Sequence, residues 1–464
     1  MELPLHRGEV AMWKRSVVVL ALGLVGADCM CSRDRAREGE EPVAQQPVSP
    51  LPKPKRDSAE DNAQRMFAQG RSTFRLDTFG DEEFWGGSIR LHDAIQGEQR
   101  GGVGSGVTPR VALTLGLKLD SEALPVGVAA QLRAGRAELD TVETMLDLLR
   151  QDAIVGLRAF FSIEDPKRLR AIGVTCAFCH STVDDSIAPG IGERLDGWPN
   201  RDLNIGAIVA MSPDLSVLSG LLNVDDAGVR KVLASWGPGK YDAMLLLDGK
   251  AFRPDGRSAA TVLPPVFGLA GIGLQTWTGW GSVPYWNALV ANTQMRGKGV
   301  FFEPRLDDKV RYPLAAKHKL GQLRAERDEI TGKLAALHLY QLALPSPKPP
   351  AGSYDPARSS RGDALFNGAA RCATCHVPPL YTEPGWNLHE PKEIGIDDFQ
   401  AKRSPTGRYR TAPLRGLFAH TKGGFYHDGR FATLLDVVEH YNKTFKLGLD
   451  GEQQADLVEF LRSI

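Results

Sequence analysis

Four of the six cysteines in this 464-residue chain fall into two copies of one pattern. Residues 176–180 read Cys-Ala-Phe-Cys-His, and residues 372–376 read Cys-Ala-Thr-Cys-His. Two thiols three positions apart, with an imidazole directly after them, have the spacing for covalent attachment of haem c. The thiols bond the two vinyl groups of the porphyrin, and the next histidine is held beneath the iron as its proximal ligand. Two such groups would constrain the chain more than any local propensity does, because each needs a largely apolar pocket.

Two other chemistries use paired cysteines. One is a disulfide within each motif, as in a thiol oxidoreductase. The other is a four-cysteine zinc site, here from halves 193 positions apart, Cys179 to Cys372. Neither needs a histidine immediately after both motifs. Histidine is 10 of 464 residues, so two chance followers arise about once in 2,000. The expected cofactors are therefore two covalently bound haem c groups. Cys176, Cys179, His180, Cys372, Cys375 and His376 would hold them, with His180 and His376 on the irons.

Attachment of this kind belongs to an exported compartment, and the N-terminus points the same way. Lys14 and Arg15 precede an apolar run over 17–27, short for a membrane span and suited to a signal segment within 1–30. Met12 is an alternative initiator. Residues 31–60, charged and Pro-rich, read as a flexible linker. Cys29 and Cys31 leave a lipid anchor open, although Asp28 and Met30 precede them where a small residue is usual. The expected location is periplasmic, with a membrane tether as the alternative. Lys+Arg and Asp+Glu balance at 56 each, which argues against a nucleic-acid partner.

The rest of the chain divides into three. Residues 61–165 read as an N-terminal helical extension, with an amphipathic helix over 137–161. Its glycine-rich 101–106 lacks the Lys-Ser/Thr of a phosphate loop and reads as a turn. Haem domain 1 covers 166–345 and haem domain 2 covers 346–464, joined at 345–350, where four of six residues are proline. Domain 2 opens with a helix from Arg361 and closes with an amphipathic helix over 450–463 carrying Leu457, Phe460 and Leu461. The expected fold is mainly α, with two cytochrome-c-like haem domains behind a helical extension.

A weak internal repeat links the two domains. Residues 413–442 contain F-Y-H-D-G-R-F-A-T-L-L-D-V-V-E-H-Y-N, and 265–292 contain Q-T-W-T-G-W-G-S-V-P-Y-W-N-A-L-V-A-N. With Gly279 set on Gly429, the two run without a gap to Asn292 and Asn442. Trp277 then matches His427, and Ala291 matches Tyr441.

This second block, with Thr411-Ala-Pro-Leu-Arg, Phe425-Tyr-His-Asp-Gly and the run from Thr433 to Asn442, resembles the bacterial di-haem cytochrome c peroxidase family, including its MauG branch. The resemblance is strong over 320–464, fair over 260–292 and absent before 166. It implies a distal ligand for the second haem on the helix after H-D-G, methionine in ordinary peroxidases and tyrosine in the MauG branch. Tyr441 stands there, and no methionine follows Met295; rival ligands are His440 and His427. It also implies an open iron in the first domain, where Ala291 cannot ligate, with Met211 and Met244 as alternative ligands. Trp277 in T-W-T-G matches a tryptophan that relays electrons between the haems. The family's distal glutamate segment is missing; Glu303 in Phe302-Glu303-Pro304 lies near the expected distance. Leu263 occupies the position of an asparagine that helps bind calcium in relatives, which makes calcium doubtful here.

The leading expectation is an enzyme that reduces hydrogen peroxide at the first haem, with the second haem passing electrons from a small periplasmic donor or oxidisable substrate. The alternatives are an electron-transfer di-haem cytochrome and a haem oxygenase-type oxidant of an organic or protein substrate.

Overall fold

The computed structural model describes residues 58–464. The expected signal segment, Cys29, Cys31 and nearly all of the 31–60 linker lie outside the described residues. Among the described residues no helix is long and apolar enough to cross a membrane. Helix α1 (Ala59–Leu76) starts where the Ser58 side chain accepts the Asp61 N–H at 3.0 Å, with Glu60 and Asp61 in its first turn and Arg75 in its last.

The amphipathic run over 137–161 is helical only as α2 (Val142–Arg150), which Thr141 caps. Two left-handed residues, Asp152 and Gly156, end the helical stretch. A Cβ on Gly156 would lie 2.2 Å from the Phe178 backbone, so this glycine permits the approach of the first motif. The next residues form strand β1 (Leu157–Phe161), antiparallel to β2 (Leu169–Val174). The expectation of one long helix is thus corrected: its apolar residues beyond 150 serve a hairpin. The expected boundary at 165/166 falls in the turn of that hairpin. A single hydrophobic cluster runs from Phe74 to Tyr340, so residues 61–165 and those around the first cysteine motif share one core.

Further along lie α3 (Val283–Leu289), α4 (Leu334–Ala343), α5 (Pro356–Asn367), α6 (Leu434–Thr444) and α7 (Gly451–Ser463). α1 packs against α4 through Phe67 and Phe74, whose rings lie 5.1 and 5.5 Å from that of Tyr340. Gly70 allows this closeness, since a Cβ there would sit 2.0 Å from the Ala336 carbonyl. α5 crosses α7, with Phe366 and Phe460 at 5.0 Å and Asp456 accepting from both Arg358 and Arg361. Leu457, Phe460 and Leu461 are buried in the core between these helices, as the pattern predicts. Each such side chain contributes about 1.5–3 kcal/mol.

The internal repeat is visible in the backbone at a constant offset of 150 positions. A bridge joins Gln275 to Gly281 in the first copy and Phe425 to Phe431 in the second. Thr276 and Tyr426 are left-handed at φ 62° and 68°, and Gly279 and Gly429 at 59° and 74°. α3 and α6 follow these turns. α6 begins with a Thr433–Asp436 capping box and runs straight through Tyr441. α3 instead widens into a π turn over Val290–Gln294, where Asn292 and Thr293 donate back to the Ala288 and Leu289 carbonyls.

A buried charge cluster ties the halves together. Arg403 donates to Asp248 at 2.8 and 3.0 Å, to Asp242 at 3.1 Å and to the Ala259 carbonyl at 3.2 Å.

Candidate functional site

Both cysteine motifs open onto one cavity of about 750 Å³. Cys176 precedes a single helical turn, Ala177–His180, and the second motif begins in the short turn Cys372–Thr374. Helical spacing sets the two sulfurs of each motif on one side. His180 Nδ1 lies 3.2 Å from the Pro264 carbonyl, and His376 Nδ1 lies 3.2 Å from the Tyr381 carbonyl. Each imidazole is thereby oriented with Nε2 left for an axial bond. Burial lowers both imidazoles to about 4, which keeps them neutral, as a ligand must be.

The competing chemistries fare worse. Burial pushes the Cys176 and Cys179 thiols up to about 12 and Cys372 to about 11. A redox C-x-x-C needs a lowered thiol instead. Among the described residues the four cysteines do not converge as zinc ligands. The metal-compatible group is Cys375, Glu383 and His389, with ligand atoms within 4.8 Å of one another. His389 there is already held between Glu383 (2.6 Å) and Glu393 (2.9 Å).

The wall of the cavity suits a porphyrin carrying propionates. Arg201 and Arg410 line it without a carboxylate partner among the described residues, and burial lowers both guanidinium groups to about 10. Arg201 meets His420 at 3.0 Å, and Arg410 donates to the Leu274 carbonyl at 2.8 Å. The Nε atoms of both are buried without a partner, as is His427 Nε2. Unpaired internal cations are costly, and two propionates per haem are the matching counter-charges. Sequence reading missed both arginines, because nothing local marks an arginine as lacking an acid 200 residues away.

The structure brings most of the expected residues to this cavity. Trp277, Ala291, Met244, His427 and Tyr441 all line it. Trp277 donates its indole N–H to the Val262 carbonyl at 3.2 Å, and its own carbonyl accepts from Arg410 N. Burial pushes the Tyr441 phenol up, with the neighbouring Tyr426 hydroxyl acting in the other direction. His440 turns away: its Nε2 lies 2.9 Å from the Ile394 carbonyl and it is not part of the wall. Met211 lines a separate small apolar pocket.

Glu303 is the exception. It is 4% exposed, so it is no surface glutamate, yet it does not line the cavity. Arg305 and Tyr285 occupy its carboxylate. The polar groups that do line the first-copy wall were not foreseen. Tyr241 donates to Gln294 Oε1 at 2.8 Å, and the amides of Asn287 and Gln341 pair at 2.7 and 3.1 Å.

No family model matches the chain. It is 30% identical over 124 residues to the methylamine utilization protein MauG of Methylorubrum extorquens, which covers 23% of this chain and 35% of that protein. It is 28% identical over 153 residues to the cytochrome-c peroxidase IdrP1 of Denitromonas iodatirespirans, covering 23% of this chain and 40% of that one. The matches thus span well under half of either curated relative. Among solved structures, a hydrazine synthase of Kuenenia stuttgartiensis aligns with 46% of this chain and 76% of its own at 17% identity, with a TM-score of 0.28. The two curated matches agree with the motifs: over about a quarter of its length the chain is similar to bacterial proteins of the MauG and di-haem cytochrome c peroxidase type.

Proposed function

We propose that this chain is an exported di-haem oxidoreductase of peroxidase type, reducing hydrogen peroxide at the haem of Cys176, Cys179 and His180. The observation that carries the reading is the asymmetry of the two equivalent helices. Tyr441 on α6 faces the cavity with a phenol, whereas Ala291, 150 positions earlier after α3, faces it with a methyl group. Haems held by Cys176, Cys179 and His180 and by Cys372, Cys375 and His376 would supply the redox iron, and Tyr441 would be the second one's further ligand.

The chain's own groups do the rest. Ala291 offers the cavity only a methyl group, which would leave peroxide room there, and Gln294 and Tyr241 place an amide and a protonated phenol on the same wall. Burial holds the Tyr241 phenol protonated, so it stays a donor where peroxide cleavage needs a proton moved between oxygens. With Glu303 turned away, we assign it no contact with peroxide. Trp277 supplies an aromatic step along the wall shared by both motifs, and the electrons would come from a small periplasmic donor or oxidisable substrate. A tyrosine-capped haem favours the ferric state, which tilts the chemistry towards oxidising another molecule. Met244 on the same wall supports the second reading, an electron carrier with both irons capped.

The test is optical and magnetic spectroscopy of the purified holoprotein. A high-spin ferric fraction that shifts with peroxide or cyanide is expected, and Tyr441→Phe should change the spin state of the C-terminal haem alone. A wholly low-spin protein indifferent to both reagents refutes the enzyme reading.

A further inference from the structure

Glu303 holds a phenol in place of facing the cavity. Tyr285 donates its hydroxyl to Glu303 Oε2 at 2.6 Å, and Arg305 approaches Oε1 with its backbone N–H (3.0 Å) and Nε (2.8 Å). Tyr285 is also one corner of a ring triangle. Its centroid is 6.2 Å from Trp280 and 6.2 Å from Trp286, which are 5.6 Å from each other. Trp286 lines the cavity on α3, the helix that leads to Ala291. The Arg305 guanidinium lies over both the Trp280 and Tyr285 faces, at 5.8 and 5.4 Å.

The cluster therefore runs from the cavity wall to the outside. Trp280 is 4% exposed, while the Arg305 side chain that covers its ring and that of Tyr285 is 46% exposed. Aromatic packing alone would explain the rings. It does not explain a buried carboxylate at proton-accepting distance from the one phenol of the triangle.

We propose that Tyr285 and Glu303 form a proton-coupled redox pair at the end of an aromatic path from the first haem pocket, through which the protein oxidises electron-rich phenols at its surface. The proposal rests on the peroxide reading above and uses residues distinct from Trp277. Reducing one hydrogen peroxide to two waters takes up two electrons and two protons. Each electron leaves the path at Trp286; Tyr285 replaces it, directly or through Trp280, and passes its phenolic proton to the Glu303 carboxylate. Tyr285 is then a neutral radical and Glu303 a carboxylic acid. A phenol docked beside the half-exposed Arg305 guanidinium, which lies over the Tyr285 ring, gives Tyr285 an electron, Glu303 returns the proton, and the phenol's own proton goes to water. Two phenols are oxidised by one electron each per peroxide.

The experiment freezes the holoprotein within milliseconds of adding hydrogen peroxide and records electron paramagnetic resonance, with ring-deuterated tyrosine in one sample and spin-trap peptide mapping in another. The expected result is a tyrosyl signal that narrows on deuteration, maps to Tyr285, vanishes in Tyr285→Phe and falls several-fold in Glu303→Gln. Both variants should keep the haem spectra. Labelling the unsubstituted chain locates the radical without relying on a variant. No radical, a radical confined to tryptophan, or one unchanged in Tyr285→Phe overturns the proposal. If peroxide shifts the haem spectrum in such a sample, only this path fails; if it does not, the peroxide reading fails too.

Discussion

Replacing Arg403 with Met should loosen the whole cavity, and the structure sets the size of the effect. The Arg403 side chain is 1% exposed, and its partners Asp242 and Asp248 are 1% and 0% exposed. Methionine keeps roughly the length and removes the charge, stranding two carboxylates and the Ala259 carbonyl. Breaking a buried ion pair costs about 3–5 kcal/mol, and with two acids orphaned we expect about 5 kcal/mol near neutral pH. That is a third or more of a typical folding free energy of about 5–15 kcal/mol. The pH dependence gives a second handle. Burial already raises Asp242 to about 6 despite the pull of Arg403, and removing Arg403 raises it further. An acid whose folded value lies above its unfolded value near 3.9 contributes stability below the unfolded value and loses it as pH rises through the folded one. The deficit of the variant should therefore be largest near pH 7.5 and shrink towards pH 4.5. Guanidinium unfolding of the holoprotein at both pH values, followed by tryptophan fluorescence, measures it. A loss below about 1 kcal/mol, or one independent of pH, would refute the argument.

Trp277→Phe should slow electron transfer between the haems in flash or stopped-flow experiments while leaving both haem spectra unchanged; an unaltered rate removes the relay role. His389 offers a pH test of the surroundings of the second cysteine motif. Burial lowers its pKa, but hydrogen bonds and charge from Glu383 and Glu393 outweigh that and leave it raised above 6.5. Its stabilising contribution is thus complete below about pH 6.5 and fades as pH climbs through the raised folded value. His389→Gln should flatten the stability profile above pH 6.5, and an unchanged slope there would show that the pair of carboxylates does not hold a proton on it.

Much of the cofactor frame was legible in the residues themselves. A C-x-x-C-H motif is a local spacing, complete within five positions. The repeat was equally readable, because the constant offset between Thr276–Gly279 and Tyr426–Gly429 follows from paired left-handed turns encoded locally. α7 declared itself through Leu457, Phe460 and Leu461, and its capping box at Asp450 and Gln453 is also local. The hairpin was not readable, since the apolar residues of β1 continue the helical period of α2, and only the approach of Phe178 to Gly156 separates the two.

Only the tertiary structure decided the roles that depend on distant partners. Glu303 stands at a plausible distance along the chain, yet Tyr285 and Arg305 claim it. Arg201 and Arg410 look like any other arginines until their surroundings prove free of acids, and Arg403 is a clamp only because Asp242 and Asp248 come from 155 or more positions away. Covalent spacing and backbone turns act over a few residues and are written in order along the chain. Desolvation and charge pairing act through space, so which groups face the cavity and which are consumed elsewhere is settled only once the chain has folded.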